Sequence, residues 1–79
     1  MVLSKEVRRA KLRELANIEG YETIEELLEE AACDAVSPAI CTHEDCDYTA
    51  QMEPDQEHGW CDECRANTVA SALVLAGLI

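Results

Sequence analysis

The sequence predicts an α+β chain: an N-terminal helical hairpin over residues 1–37, then a small cysteine-rich β-hairpin and knuckle module with a C-terminal helix over residues 38–79. Three observations predict it. Apolar residues recur at helical spacing in the first half, and two close cysteine pairs bracket an alternating segment in the second. Between them stands Ser37-Pro38, where proline disfavours α conformation in the residue before it.

Ser4 can cap a first helix that runs to about Asn17, with Leu12, Leu15, Ala16 and Ile18 supplying its apolar surface. Lys11 interrupts the line from Val7 to Leu15, so the amphipathicity is weak. Gly20 supplies a stop because it takes positive φ without a Cβ clash. Thr23 and Glu26 then have the spacing of a capping box, and Ile24, Leu27, Leu28 and Ala31 recur at i, i+3, i+4 and i+7. Residues 34–40 read as a connector. From Asp47 to Glu53 apolar Tyr48, Ala50 and Met52 alternate with polar partners, as in a half-buried strand, before a turn from Pro54 to Gly59. Trp60 restarts an ordered segment. After Cys64, the spacing of Val69, Ala72, Leu73 and Ala76 and the alanine content predict a final helix.

The core is thin. Of the 48% hydrophobic residues, 11 are Ala and 5 are Cys, only 17 are Val, Ile or Leu, and Phe is absent. A domain of 79 residues buries only about 60–65% of its unfolded surface, so such a core calls for a staple, a metal or a partner. No apolar run reaches the roughly 18 residues of a membrane span, and no signal-peptide pattern opens the chain. A soluble cytoplasmic protein without a membrane partner is expected. The apolar run from Val69 to Ile79 would span only about 17 Å as a helix, against a bilayer core of roughly 30 Å, so it is core or interface.

The formal charge is −11, and it is segregated. Lys5, Arg8, Arg9, Lys11 and Arg13 stand with Glu6 in a segment of charge +4, which leaves −15 on the rest. Glu22, Glu25, Glu26, Glu29 and Glu30 lie on the second helix, so a hairpin would bring the two charge sets together. Exposed pairs contribute only about 0–1 kcal/mol each, so apolar packing supplies most of the hairpin's stability.

Cys41-x4-Cys46 and Cys61-x2-Cys64 form two close pairs separated by 14 residues, the two-knuckle layout of a tetrahedral thiolate site. A short loop can present two sulfurs to one ion, and the intervening hairpin folds back the second pair. Disulfides are the competing use, but five is an odd count and no secretory segment is evident. His43 and His58 are alternative ligands, each replacing a thiolate. Cys33 stands outside the pattern and reads as a small core residue. Zn²⁺ is the expected ion; Fe is the alternative, since four thiolates can hold a single iron. In rubredoxin-like knuckles a glycine usually follows the second cysteine, and here Asp47 and Arg65 occupy those places.

With these knuckles the chain resembles zinc-ribbon and treble-clef domains. In treble clefs the second pair opens a helix, which Cys61-Asp62-Glu63-Cys64 ahead of the alanine-rich end matches; a zinc ribbon more usually continues as a strand. The stretch Cys41…Cys46-Asp47-Tyr48…Met52-Glu53-Pro54-Asp55-Gln56…Gly59-Trp60-Cys61-x2-Cys64 also resembles a group of small uncharacterised bacterial proteins. That resemblance covers about residues 37–79 and implies a metal-binding bacterial domain.

Catalysis has little support. There is no P-loop, GxSxG elbow, HExxH helix or dinucleotide glycine pattern, and Glu53, Asp55 and Glu57 read as a solvated acidic turn. A four-sulfur zinc site has no open position, so its expected role is to fold the chain. The expected function is therefore a non-enzymatic, metal-stabilised interaction or regulatory module with a protein partner, or self-association through Val69 to Ile79. Two alternatives stand beside it. Arg8, Arg9 and Arg13 on the basic helix can contact nucleic acid, although four thiolates around Zn²⁺ take the charge to about −13 and disfavour phosphate. An iron centre would instead make the chain a rubredoxin-like electron carrier.

Overall fold

Ser4 Oγ accepts the Val7 amide at 3.2 Å and opens helix α1, Lys5–Glu19. Gly20, at φ 88°, closes it by turning its own amide back onto the Ala16 and Asn17 carbonyls. Thr23 Oγ1 accepts the Glu26 amide at 3.1 Å, forming the Thr23 half of the capping box, and helix α2 follows over Ile24–Cys33. The computed structural model describes residues 4–78; residues 1–3 and Ile79, the end of the apolar run, lie outside the described residues.

Four strands follow: β1 (Ser37–Cys41), β2 (Thr49–Met52), β3 (Gly59–Cys61) and β4 (Ala66–Ser71). They form an antiparallel sheet in the order β2-β1-β4-β3, and a one-turn helix α3, Ala72–Leu75, closes the described chain. The alternating segment expected around Asp47 to Glu53 is β2, paired with β1 from Ser37↔Met52 to Ile40↔Thr49.

Two expectations are corrected. The expected connector 34–40 contains β1, an inner strand. Pro38 is tolerated there because β4 pairs with β1 only from Ala39 onward, so β2 alone flanks the proline. The final helix expected after Cys64 is instead strand β4 followed by the single turn α3. Its helical spacing straddles a junction at Ser71, whose hydroxyl accepts the Val74 amide at 3.2 Å. Residues 68–71 are all buried because β4 lies between two strands with cover on both faces. Such a strand shows no polar alternation, and its apolar run reads equally well as helix. The helix that opens at the second cysteine pair in a treble clef is therefore not found.

Strand alternation sends side chains to two cores. On one face Ile40 and Ala70 pack with Leu12, Leu15, Ala16, Ile24, Leu27, Ala72 and Leu75 from the three helices. On the other Ala39, Cys41, Cys61 and Val69 are buried together, with Tyr48, Met52, Cys46 and Cys64 packed around them. Gly59 fits beneath Met52 because a Cβ there would run into the methionine side chain. Among the described residues no helix is long and apolar enough to cross a membrane.

Leu27 is fully buried where α2 meets the shared core, whereas Leu28 is only partly covered. Leu27→Ala is expected to lower unfolding stability by about 2–5 kcal/mol, the range for a buried leucine, and Leu28→Ala by clearly less. Urea denaturation of the two variants reads the difference; equal losses would contradict this packing.

Candidate metal centre

Strands β1 and β3 both run antiparallel to β4, so they point the same way and end at the same end of the sheet. Their last residues are Cys41 and Cys61. The second cysteine of each pair follows in a tight loop. In the first loop the Cys41 amide donates to Tyr48 O at 2.9 Å and the Cys46 amide to His43 O at 3.2 Å. In the second the Arg65 amide donates to Cys61 O at 2.7 Å and the Cys64 amide to Cys61 Sγ at 3.3 Å. Arg65 takes the left-handed conformation, φ 54°, at the place where a glycine was the sequence criterion for an iron knuckle. Since the backbone makes that turn without glycine, the criterion does not separate the two metals.

Together the loops bring the Sγ atoms of Cys41, Cys46, Cys61 and Cys64 within 4.8 Å of one another. Contacts between the loops, Cys41 to Cys64 and Cys46 to Cys61, are both 3.7 Å. A tetrahedral ion with metal–sulfur bonds of about 2.3 Å needs sulfurs about 3.8 Å apart, so this donor set fits such an ion. A disulfide, with sulfurs about 2.0 Å apart, does not describe these contacts. Cys41 and Cys61 are fully buried, and Cys46 and Cys64 are partly exposed beside His43, Glu44, Asp45, Asp47 and Glu63.

The thiols differ in acidity. Desolvation, reinforced by the thiols of Cys41, Cys46 and Cys61, pushes Cys64 up to about 12. Desolvation also acts upward on Cys41, but the Thr68 hydroxyl, 3.1 Å away, and the His43 backbone favour the thiolate and bring it below the ordinary thiol value. Four adjacent sulfurs cannot all ionise without a cation. Metal capture by this cluster therefore releases protons and weakens as the pH falls.

The remaining candidates separate. His43 is exposed, and its Nδ1 lies 3.1 Å from Cys64 Sγ, outside the four-sulfur cluster as a hydrogen-bond partner of one member. His58 is exposed, 3.6 Å from Glu57, and does not join the cluster. Cys33 is exposed at the end of α2, which corrects its reading as a core residue. It sits two positions beyond Ala31 and so is rotated about 200° from the buried stripe.

Arg9 and Arg13 line a groove of about 400 Å³ with Tyr21, Glu22, Thr23 and Glu25, while Arg8 borders a different cavity beside Thr42 and His58. Arg9 and Arg13 thus share a groove that Arg8 does not line. The expected ion pairing of α1 with α2 is also absent among the described residues: the pairs within 4.0 Å are Lys11–Glu14 and His58–Glu57. At an exposed helix pair, hydration and side-chain freedom outweigh what such a contact returns.

Two features escape sequence reasoning. Asp62, within the second loop, accepts from Tyr48 Oη at 3.2 Å and Trp60 Nε1 at 3.0 Å, tying the two loops together from outside. Lys11 is only 3% exposed, and its Nζ donates to Cys46 O at 2.6 Å. Its interruption of the apolar line in α1 was the visible sign. Compared with protein-family models, with curated proteins and with solved structures, the chain shows no significant match.

Cys61→Ser is expected to abolish stoichiometric metal binding, and Cys33→Ser to leave it intact. Elemental analysis of the purified variants distinguishes them, and retention of a full equivalent by Cys61→Ser would remove the four-sulfur site.

Proposed function

We propose that the chain is a small module folded around a structural zinc ion, acting through protein interaction or regulation without catalysis. The observation that carries this reading is the set of four sulfurs within 4.8 Å, with contacts of 3.7 Å between the loops. Zinc is the ion proposed because a closed set of four cysteines is its usual structural donor set, while iron, which the same four sulfurs could hold, is the alternative that the metal content decides. Bound there, the ion would be a closed-shell crosslink holding β1, β3 and their loops together, with no coordination position left for substrate. The protein's residues then do the positioning: backbone hydrogen bonds shape the loops and Asp62 braces them.

A protein partner is the proposed target. Val69, Ala72, Leu73 and Leu75 bury their side chains inside the chain, so self-association would have to use residues such as Leu78, which is 63% exposed. Trp60, 53% exposed next to Cys61, is another large apolar side chain open to a partner, as are Ile18 and Val36. A second reading draws on one observation: Arg9 and Arg13 form no ion pair with α2, which leaves their guanidinium groups available to phosphate.

The purified protein is expected to be colourless and to contain one zinc per chain; visible thiolate-to-iron absorption would instead establish the iron reading. Chelation is expected to change its far-UV circular dichroism, because binding free energy at such sites is on the order of 10–16 kcal/mol in zinc-finger peptides. A spectrum unchanged after verified metal removal would deny the ion its folding role. For the second reading, electrophoretic shift of nucleic acid at low salt, lost in an Arg9→Ala and Arg13→Ala double variant, is the required result. No shift by the wild-type chain excludes it.

A further inference from the structure

We propose that Lys11 is the counter-ion of the metal–thiolate centre, and that through it the docking of α1 depends on metal occupancy. The inference rests on the metal reading above and adds to it a residue from outside the cysteine-rich half. An ammonium group 3% exposed carries a desolvation cost that neutral hydrogen bonds offset poorly. Its closest partner is the Cys46 carbonyl at 2.6 Å, a neutral acceptor. Glu14, at 4.0 Å and 37% exposed, is long-range and open to water. Glu6 and Glu44 border the same small cavity, but both are exposed and neither lies within 4.0 Å of Nζ. Among the described protein groups the buried cation thus has one carboxylate partner, Glu14, at the 4.0 Å limit and partly open to water.

The metal centre supplies one. Four thiolates around a divalent ion carry a net charge of −2. Covalent geometry keeps the carbonyl oxygen and Sγ of one cysteine within about 5 Å, so Nζ is at most about 8 Å from the Cys46 sulfur. At that distance, with the ammonium 3% exposed although Cys46 is only partly covered, the attraction is screened less than between two surface charges. The interaction also spans 35 positions in sequence and joins α1 to the first metal loop, next to Leu12 and Leu15 in the helical core. Removing the ion would leave the ammonium with only the distant, partly exposed Glu14 as an anion, and α1 would loosen to rehydrate it.

The test is zinc affinity, measured by chelator competition on the full chain. Lys11→Met removes the charge and the donor, Lys11→Gln keeps a donor but no charge, and Lys11→Arg keeps both. Loss of an outer residue of this kind typically costs 10- to 100-fold in metal affinity, so Met and Gln are expected to fall by about that factor and Arg to stay within about threefold. Met at wild-type affinity, or Gln restored to it, would overturn the counter-ion role. A wild-type chain that binds no metal would overturn this inference together with the reading beneath it, whereas zinc-binding variants of unchanged affinity overturn this inference alone. Should the variants fail to fold, amine-reactive labelling of the wild type during stepwise chelation reads the same dependence: Lys11 exposed before the circular dichroism falls supports it, and exposure only together with that fall counts against it. Lys5, which is exposed, is expected to label at all times, and Lys11 only after chelation. Lys11 labelling as fast as Lys5 in the metal-loaded protein, or staying protected after chelation, counts against it.

Discussion

The convergence of four sulfurs at one end of the sheet is the constraint on which the rest of the molecule depends. Strands of three to six residues make a sheet with little intrinsic stability, and the face opposite the helices has only Ala39 and Val69 as fully buried aliphatic residues. Burying those two returns at most a few kcal/mol. Cys41 and Cys61 are the other fully buried members of that cluster, so there candidate ligand and core residue are the same thing. A cation there would join strands that hydrophobic contact alone holds weakly, which is how a chain with 11 alanines and no phenylalanine can support two sheet faces.

Among the described residues the segregated charge is not consumed by pairing between α1 and α2. The +4 segment and the glutamates of α2 share a groove, yet their side chains remain apart and solvated. The one basic residue that leaves water is Lys11, and it turns toward the first cysteine loop instead of the acidic helix. A bulk charge of −11 therefore divides into a hydrated majority and a single buried cation placed against the first cysteine loop.

Local signals were legible in the sequence where the chemistry is local. The caps at Ser4 and Thr23, the stop at Gly20 and the apolar spacing of Ile24, Leu27 and Ala31 all act within a few residues, and each is found. The four sulfurs were legible because their pairwise spacing is the one a tetrahedral ion would demand, and the fold gathers all four. The inner strands were not. Ala39 to Cys41 and Thr68 to Ser71 are buried from both sides, so period-2 alternation, the usual sign of a strand, is erased. Lys11 showed itself only as a fault in the α1 pattern, because its partner lies 35 residues away and nothing nearby in sequence names it.

Those inner strands are also what connects the two halves energetically. Along β1, Ala39 and Cys41 face the sulfur cluster while Ile40, between them, faces the helices; along β4, Val69 and Ala70 divide in the same way. The pairs Ile40↔Ala70 and Cys41↔Val69 stand next to each other in one ladder. A shift of either strand by one residue would exchange the two sets, taking Cys41 from the metal face and Ile40 from Leu15 and Leu27 together. Gathering the four sulfurs thus requires the same register as the helical core, and the packing of α1 and α2 holds Cys41 where the cluster needs it.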